Sequence, residues 1–237
     1  MNNQVNEFHK VAKAKRMLLN IGIGSIIMMF IAFTSAYIVS SHNSFWVYIT
    51  LPTAFITSTI VLAVSSIVLI ISRKLYEKNN IKNARILLLA TLLLGILFSY
   101  YQFKSWNQMI DSGNYVVANM MDLKGEYGKD YTFAYQGEDL VSVDGEFYAE
   151  TDIYHDKPLR DRIMGSRNGA SSYIYVFSFM HWAHLIGGLI FLLVLFFKLR
   201  KHGKSEKSDL NYRQASVYWH FLGLLWAYLY SFLVLIH

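Results

Sequence analysis

The chain has 237 residues, of which 54% are apolar and only 16% charged, against roughly a quarter charged in an ordinary soluble domain. Its net charge of +6 and pI near 9.3 would suit a nucleic-acid binder, but the basic residues flank long apolar runs, where they act as membrane-flanking charges; no nucleic-acid partner is expected. Cysteine is absent, which excludes disulfides, thiolate metal sites and cysteine-bridged copper sites.

Five windows contain no Asp, Glu, Lys or Arg: 17–39, 45–71, 86–103, 173–197 and 216–236. Each is about 18 to 27 residues long, enough for a hydrocarbon core that needs roughly 20. The sequence therefore predicts an all-α membrane protein with five transmembrane helices. The first window is about twice the length of a signal-peptide apolar region and is expected to stay in the membrane. Lys10, Lys13, Lys15 and Arg16 precede it, and only residues 40–44 separate it from the second window. Pro52 lies near the start of the second helix, where its missing N–H falls among helix-end groups that are unpaired anyway. Arg73, Lys74, Lys78, Lys82 and Arg85 fill the next connection. Residues 104–172 form a long acidic one, with twelve Asp and Glu against seven Lys and Arg, and Lys198, Arg200, Lys201, Lys204, Lys207 and Arg213 crowd the last. Basic connections alternate with neutral or acidic ones, which places the N-terminus in the cytoplasm and His237 outside.

Three regions follow: 1–103 with the N-terminal tail and helices one to three, 104–172 as an acidic outer insertion, and 173–237 with helices four and five. In the insertion, residues 131–135 and 140–143 have strand-like composition. Asp144-Gly145 between Val141-Ser142-Val143 and Glu146-Phe147-Tyr148 is the signal of a type I′ hairpin. The acidity reads either as solvation or as a docking face for a basic partner. Within the membrane windows, Gly22, Gly24, Ala32, Ala36, Ser65, Ser66, Gly187 and Gly188 mark places where helices can approach closely.

The last two windows carry His181, His184 and His220. A polar ring in lipid is costly unless it faces protein or finds a partner. His181 and His184 lie three apart and share a face, so a bis-histidine haem would need His220. Counted from the apolar windows at 1.5 Å per residue, His184 and His220 differ by about 14 Å in depth, too far for one haem. Neither window has an acidic residue or cysteine to complete a zinc shell. A proton or ion path would want a membrane acid and a transporter would want repeated halves. Polar packing at helix interfaces or contact with lipid head groups is the favoured reading. A membrane cytochrome and a transporter remain alternatives that a haem spectrum or an uptake assay would reveal.

At these residues the chain resembles the cytochrome c oxidase subunit III family of the haem–copper oxidases in its five-helix bacterial form. Met180-His181-Trp182-Ala183-His184-Leu185 with Gly187-Gly188 resembles the family's His-Gly-x-His-Val segment. Tyr218-Trp219-His220-Phe221 with Trp226 and Tyr230 is similar to its Tyr-Trp-His-Phe-x-Asp-x-x-Trp segment. Leu51-Pro52 with Thr57, Leu62, Ser65 and Ser66, and Leu94-Gly95 with Phe98 and Gln102, resemble its preceding helices. Residues 104–172 lie outside the likeness. Ile26 stands where the family usually has a membrane glutamate, Gly223 where the last helix usually has aspartate, and Ser105-Trp106 where a Glu-Tyr pair is usual; a proton-gating role for that glutamate therefore does not carry over.

The resemblance implies a subunit without catalytic residues or redox centres of its own, with haem and copper held in partner subunits. Expected partners are oxidase subunits I and II, with subunit IV a further candidate, and bound phospholipid. His181, His184, Arg213, Trp219 and His220 are the candidate lipid or subunit contacts, Arg213 through the planar donors that suit phosphate. If the acidity of the insertion is a docking face rather than solvation, another respiratory complex or a cytochrome c domain is the partner it would take. The homologous subunit of a quinol oxidase or nitric oxide reductase is the alternative, because other subunits choose the electron donor.

Overall fold

The computed structural model describes residues 2–236, and of these the side chains of all but 2–6, 8 and 202. The chain is mostly helical: α1 (Asn2–Asn43), α2 (Thr53–Glu77), α3 (Ile81–Asp111), a short α4 (Arg160–Met164), α5 (Gly169–His202) and α6 (Glu206–Leu235). Every helix but α4 is long and apolar enough to cross a membrane. A four-stranded antiparallel sheet in the order β1-β2-β3-β4 is built from β1 (Phe45–Ile49), β2 (Tyr131–Tyr135), β3 (Glu138–Val143) and β4 (Glu146–Ala149).

Two departures from the sequence reading concern where elements begin. The second apolar window, expected as helix from residue 45, opens instead as strand β1, and the helix starts only at Thr53. Phe-Trp-Val-Tyr-Ile is a run of aromatic and β-branched residues fenced by Asn43-Ser44 and Pro52. Its ladder partner lies 82 to 90 residues on, Phe45 facing Tyr135 and Ile49 facing Tyr131. The membrane-flanking helices also overrun their windows, α3 to Asp111, α5 to His202, and α6 from Glu206.

Contacts divide the chain into two compact units: residues 1–29, 57–100 and 180–228 in the first, 30–56, 101–179 and 229–237 in the second. In the first unit, α2 buries Ser58, Leu62, Ser65, Leu69, Ser72 and Tyr76, the three-and-four spacing of a single helix face, while Ile60, Val64, Ile67 and Ile70 between them are exposed. Ala84, Leu88, Thr91, Leu92 and Phe98 line the matching face of α3. Among its described residues there, α1 buries only Ala12. The turn at Asn79-Asn80 stops one helix and starts the next. Asn79 takes the left-handed conformation (φ 63°) usual for a helix C-terminus, and the Asn80 carbonyl oxygen Oδ1 accepts the Asn83 N–H at 3.3 Å as an N-cap. Lys204, from the connection between α5 and α6, donates to the Glu77 carbonyl at 3.1 Å and to Asn79 Oδ1 at 2.8 Å, so both connections lie at one end of the spans.

The second unit combines helix ends with the sheet. Tyr37 is its aromatic hub, with ring centroids of Trp46, Phe232, Tyr173 and Phe177 at 5.0, 5.3, 5.5 and 6.0 Å. The expected I′ hairpin is present: Asp144 (φ 53°) and Gly145 (φ 84°) join β3 to β4. Gln136 (φ 53°) and Gly137 (φ 82°) make a second such turn between β2 and β3. Tyr127, Phe133 and Phe147 form a small aromatic core beneath them, with centroids 5.1 to 5.5 Å apart. Since β1 comes from the first connection and β2–β4 from the long third one, the sheet ties those two connections together at one end of the spans.

Candidate functional site

All five candidate residues fall in the first unit. Trp219 is its fully buried centre, and its indole Nε1–H donates to Ser65 Oγ at 3.1 Å. Two glycines make room for the ring. A Cβ on Gly95 would lie 2.7 Å from Trp219 Cη2 and 2.6 Å from Leu189 Cδ2, and one on Gly188 would lie 3.3 Å from Trp219 Cε3. Helices in lipid gain no hydrophobic advantage from association, so this close packing and the indole–hydroxyl bond are what hold α2, α3, α5 and α6 together at this level.

About two turns further along α6, Trp226 repeats the arrangement. Its Nε1–H donates to Thr59 Oγ1 at 3.0 Å, and its ring stacks on His181 with centroids 4.9 Å apart. Phe98 meets the same imidazole edge-on at 5.8 Å. His181 is completely buried, and neither ring nitrogen has a hydrogen-bond partner among the described residues. His184, three residues on, is half-buried, with Nδ1 bonded to the Met180 carbonyl at 2.6 Å. The Tyr218 hydroxyl donates to the His184 carbonyl at 3.3 Å, and His220 is half-buried on α6. Arg213 is exposed and lines a cleft of about 430 Å³ with His9, Arg16, Lys204, Glu206 and Asp209.

The Tyr218–His184 contact corrects the depth count. Because α5 and α6 both continue past their apolar windows, His184 and His220 are closer in depth than the expected 14 Å. Depth therefore no longer argues against a shared cofactor. His181 is stacked on Trp226 and set edge-to-face with Phe98, and Nδ1 of His184 is bonded within its own helix. Among the described residues no three His, Asp or Glu side chains gather as a metal site. The acceptors Ser65 and Thr59 were not legible as tryptophan partners, because nothing in a sequence pairs a hydroxyl with an indole more than 150 residues away.

Fold and site thus define a polytopic helical membrane protein whose C-terminal helix pair anchors tryptophans and histidines against the preceding spans. Residues 161–236, which hold that pair, match the family described as Cytochrome c oxidase subunit III. Relatives named "Probable cytochrome c oxidase subunit 3" occur in Rickettsia bellii (strain RML369-C), 36% identical over 63 residues, and in Rickettsia felis (strain ATCC VR-1525 / URRWXCal2), 33% identical over 64 residues. A third, from Rickettsia prowazekii (strain Madrid E), is 29% identical over 68 residues. These alignments cover 26 to 28% of this chain, and they span about a quarter of the relatives' length, 23 to 24%. The matches support the cytochrome c oxidase subunit III family for this chain, through its C-terminal third.

Proposed function

We propose that the chain is a non-catalytic accessory subunit of a bacterial terminal haem–copper oxidase, in which partner subunits hold haem and copper and pass electrons to O2 while protons are moved. The observation that carries this is the family match over 161–236, whose span includes Trp219, His181 and Gly188 and so the interlocked core of the first unit. The relatives' names supply the oxidase. The distribution of Lys and Arg supports an inner-membrane protein with its N-terminus in the cytoplasm and its C-terminus in the periplasm.

Within that reading, His184, His220 and Arg213 contact phospholipid or the neighbouring subunits I and II, since each is partly or fully exposed on this chain. His181 and Trp219 are enclosed and hold those helices in position from behind. Tagged purification from native membranes in mild detergent, with mass spectrometry of every co-purifying chain, tests the assignment. Recovery of a large polytopic subunit and a copper-domain subunit supports it. Recovery of this chain alone, from a preparation in which known respiratory complexes survive, defeats it. The site assignment fails separately if H184A and H220A leave bound lipid, assembly and turnover lifetime unchanged.

A further inference from the structure

The connection from β4 to α4 presents two large apolar side chains to solvent. Ile153 is 80% and Tyr154 85% exposed, more than any other large apolar side chain described between residues 104 and 172. Single exposed apolar residues are ordinary on a protein surface, but these two are adjacent and their backbone is fixed on both sides. Before them, the Asp152 N–H donates to the Ala149 carbonyl at 2.9 Å and the Thr151 hydroxyl to Glu138 Oε2 at 2.9 Å. After them, the Asp152 carboxylate accepts the Asp156 N–H at 3.3 Å and the Lys157 N–H at 2.9 Å, which closes the loop around the pair. His155 is held in the left-handed conformation (φ 55°), uncommon outside glycine. Its N–H donates to the Asp152 carbonyl at 3.2 Å, and its ring lies 4.7 Å from that of Tyr148. Tyr148 faces Val141 across the β3–β4 ladder, and Val141 is itself exposed, so apolar surface continues from the loop onto one face of the hairpin.

A loop that only joined two elements would gain nothing from showing Ile and Tyr to water. A backbone fixed before binding lowers the ordering cost of association, and a rigidly held aromatic beside an aliphatic side chain has the form of an interface anchor. Charge selects the class of partner. Within three residues of the pair lie Glu150, Asp152 and Asp156, against one lysine, Lys157. These carboxylates oppose insertion into an anionic bilayer, where interfacial segments are rich in Lys and Arg, and they oppose pairing of the loop with a second copy of itself. We propose that Ile153 and Tyr154 anchor a protein domain on the outer side of the membrane, entering an apolar pocket on it whose rim carries Lys or Arg. The acids steer the encounter and fix its register, and the enclosed pair sets its lifetime. The proposal rests on residues 104–172 lying outside the membrane, but not on the oxidase assembly, nor on any of the candidate residues of the first unit.

Photocrosslinking of the full chain in its native membranes tests this, with Tyr154→p-benzoylphenylalanine as the probe and the adducted peptide identified by mass spectrometry. The expected adduct is on a protein segment from the outer side in which Lys or Arg flank apolar residues. On serial dilution of the solubilised membranes, I153S should raise the concentration that gives half-maximal adduct by about thirtyfold, the scale of losing one interface anchor. E150Q/D156N should raise it several-fold at low salt and less at high salt. The altered side chains are exposed, so neither variant should move the thermal midpoint of the chain, which separates lost contact from lost fold. An adduct confined to phospholipid would make the pair a bilayer contact, and one on a second copy of this chain would make it a self-association site. Either overturns the proposal, as does no adduct, an adduct on a segment without Lys or Arg, or a half-point that I153S leaves in place. An adduct that meets these criteria on a protein other than an oxidase subunit sustains the docking site even where co-purification defeats the oxidase assignment.

Discussion

The two compact units of the chain are held together by different chemistry. In the first, tryptophan and tyrosine side chains reach hydroxyls of distant segments, Trp219 to Ser65, Trp226 to Thr59 and Tyr212 with Ser72 at 2.6 Å, while Tyr218 and Lys204 reach the His184 and Glu77 carbonyls. In the second, bonds such as Trp106 to Ser178 and Asn168 to Asn114 are joined by about as many that serve backbone. Ser171 and Ser172 donate to the Tyr115 and Val116 carbonyls at 2.7 Å, Tyr127 to Leu140 at 2.6 Å and Tyr175 to Asn114 at 3.0 Å. The difference follows from backbone regularity. A helix in lipid satisfies its own N–H and C=O groups, so its hydroxyls and indoles are free to join helices. Strands, turns and loops leave main-chain groups open, and nearby Ser and Tyr side chains are recruited to close them.

This contrast can be broken most severely at the centre of the first unit. Trp219→Ala should cost about 3–5 kcal/mol, as for a large buried aromatic. Thermal unfolding in detergent should drop accordingly, and amide protection should fall in 57–100 and 180–228 but persist across β1–β4. Equal loss in the sheet would mean that the two units do not have separate stabilities. Next in size is Gly95→Ala, whose new Cβ meets Leu189 and Trp219 well inside contact distance; overpacking of this kind costs about 1–3 kcal/mol. The same unfolding assay reads it, and an unchanged midpoint would show that the Trp219 ring moves freely.

In the second unit the comparable lesion is in backbone. Gly145→Val forces a β-branched residue into a left-handed turn (φ 84°), at a cost of about 1–2 kcal/mol. Amide exchange should rise at β3 and β4 only. Smaller again is Ser65→Ala, which leaves the Trp219 indole without its acceptor; interhelical hydrogen bonds in membranes average about 0.6 kcal/mol and reach about 1.7. Indole emission should report the lost bond before stability does.

The smallest effect is local and pH-dependent. The carboxylate of Asp152 accepts N–H groups from Lys157 at 2.9 Å and Asp156 at 3.3 Å, and the Lys157 bond first among its neighbours holds the acid below the ordinary carboxylate range. A folded-state value below the unfolded one means that the loop is supported above the ordinary range and loses that support as pH falls through the lowered value. Exchange at Asp156 and Lys157 should accelerate on acidification, and Asp152→Asn should remove the pH dependence.

How much of this was legible depended on range. The span count, the basic ends of the helices and the Asp144-Gly145 hairpin rest on local pattern, and the structure has them. The Gln136-Gly137 turn carried a weaker version of the same signal. Strand β1 was misread because absence of charge is common to a membrane helix and a buried strand; only its aromatic and β-branched density distinguished it. At the candidate site, the helical register put His181 and His184 near one face, yet it could not say that Trp226 and Phe98 would enclose one and leave the other half-exposed. The depth count erred because it stopped at the apolar windows, whereas helices continue through charged residues.

By itself, then, the sequence determined what each segment does alone: which stretches are apolar enough to span, where charge stops them, and where a two-residue turn reverses the chain. Tertiary structure decided which segments meet. It paired Phe45–Ile49 with Tyr131–Tyr135, set Trp219 against Gly95 and Gly188, and drew Lys82, Arg85 and Arg200 onto one cleft. The physical reason is that hydropathy and turn conformation act over a few residues. Close packing and hydrogen bonding act only between groups already brought within a few ångströms, and chain distance does not encode that proximity.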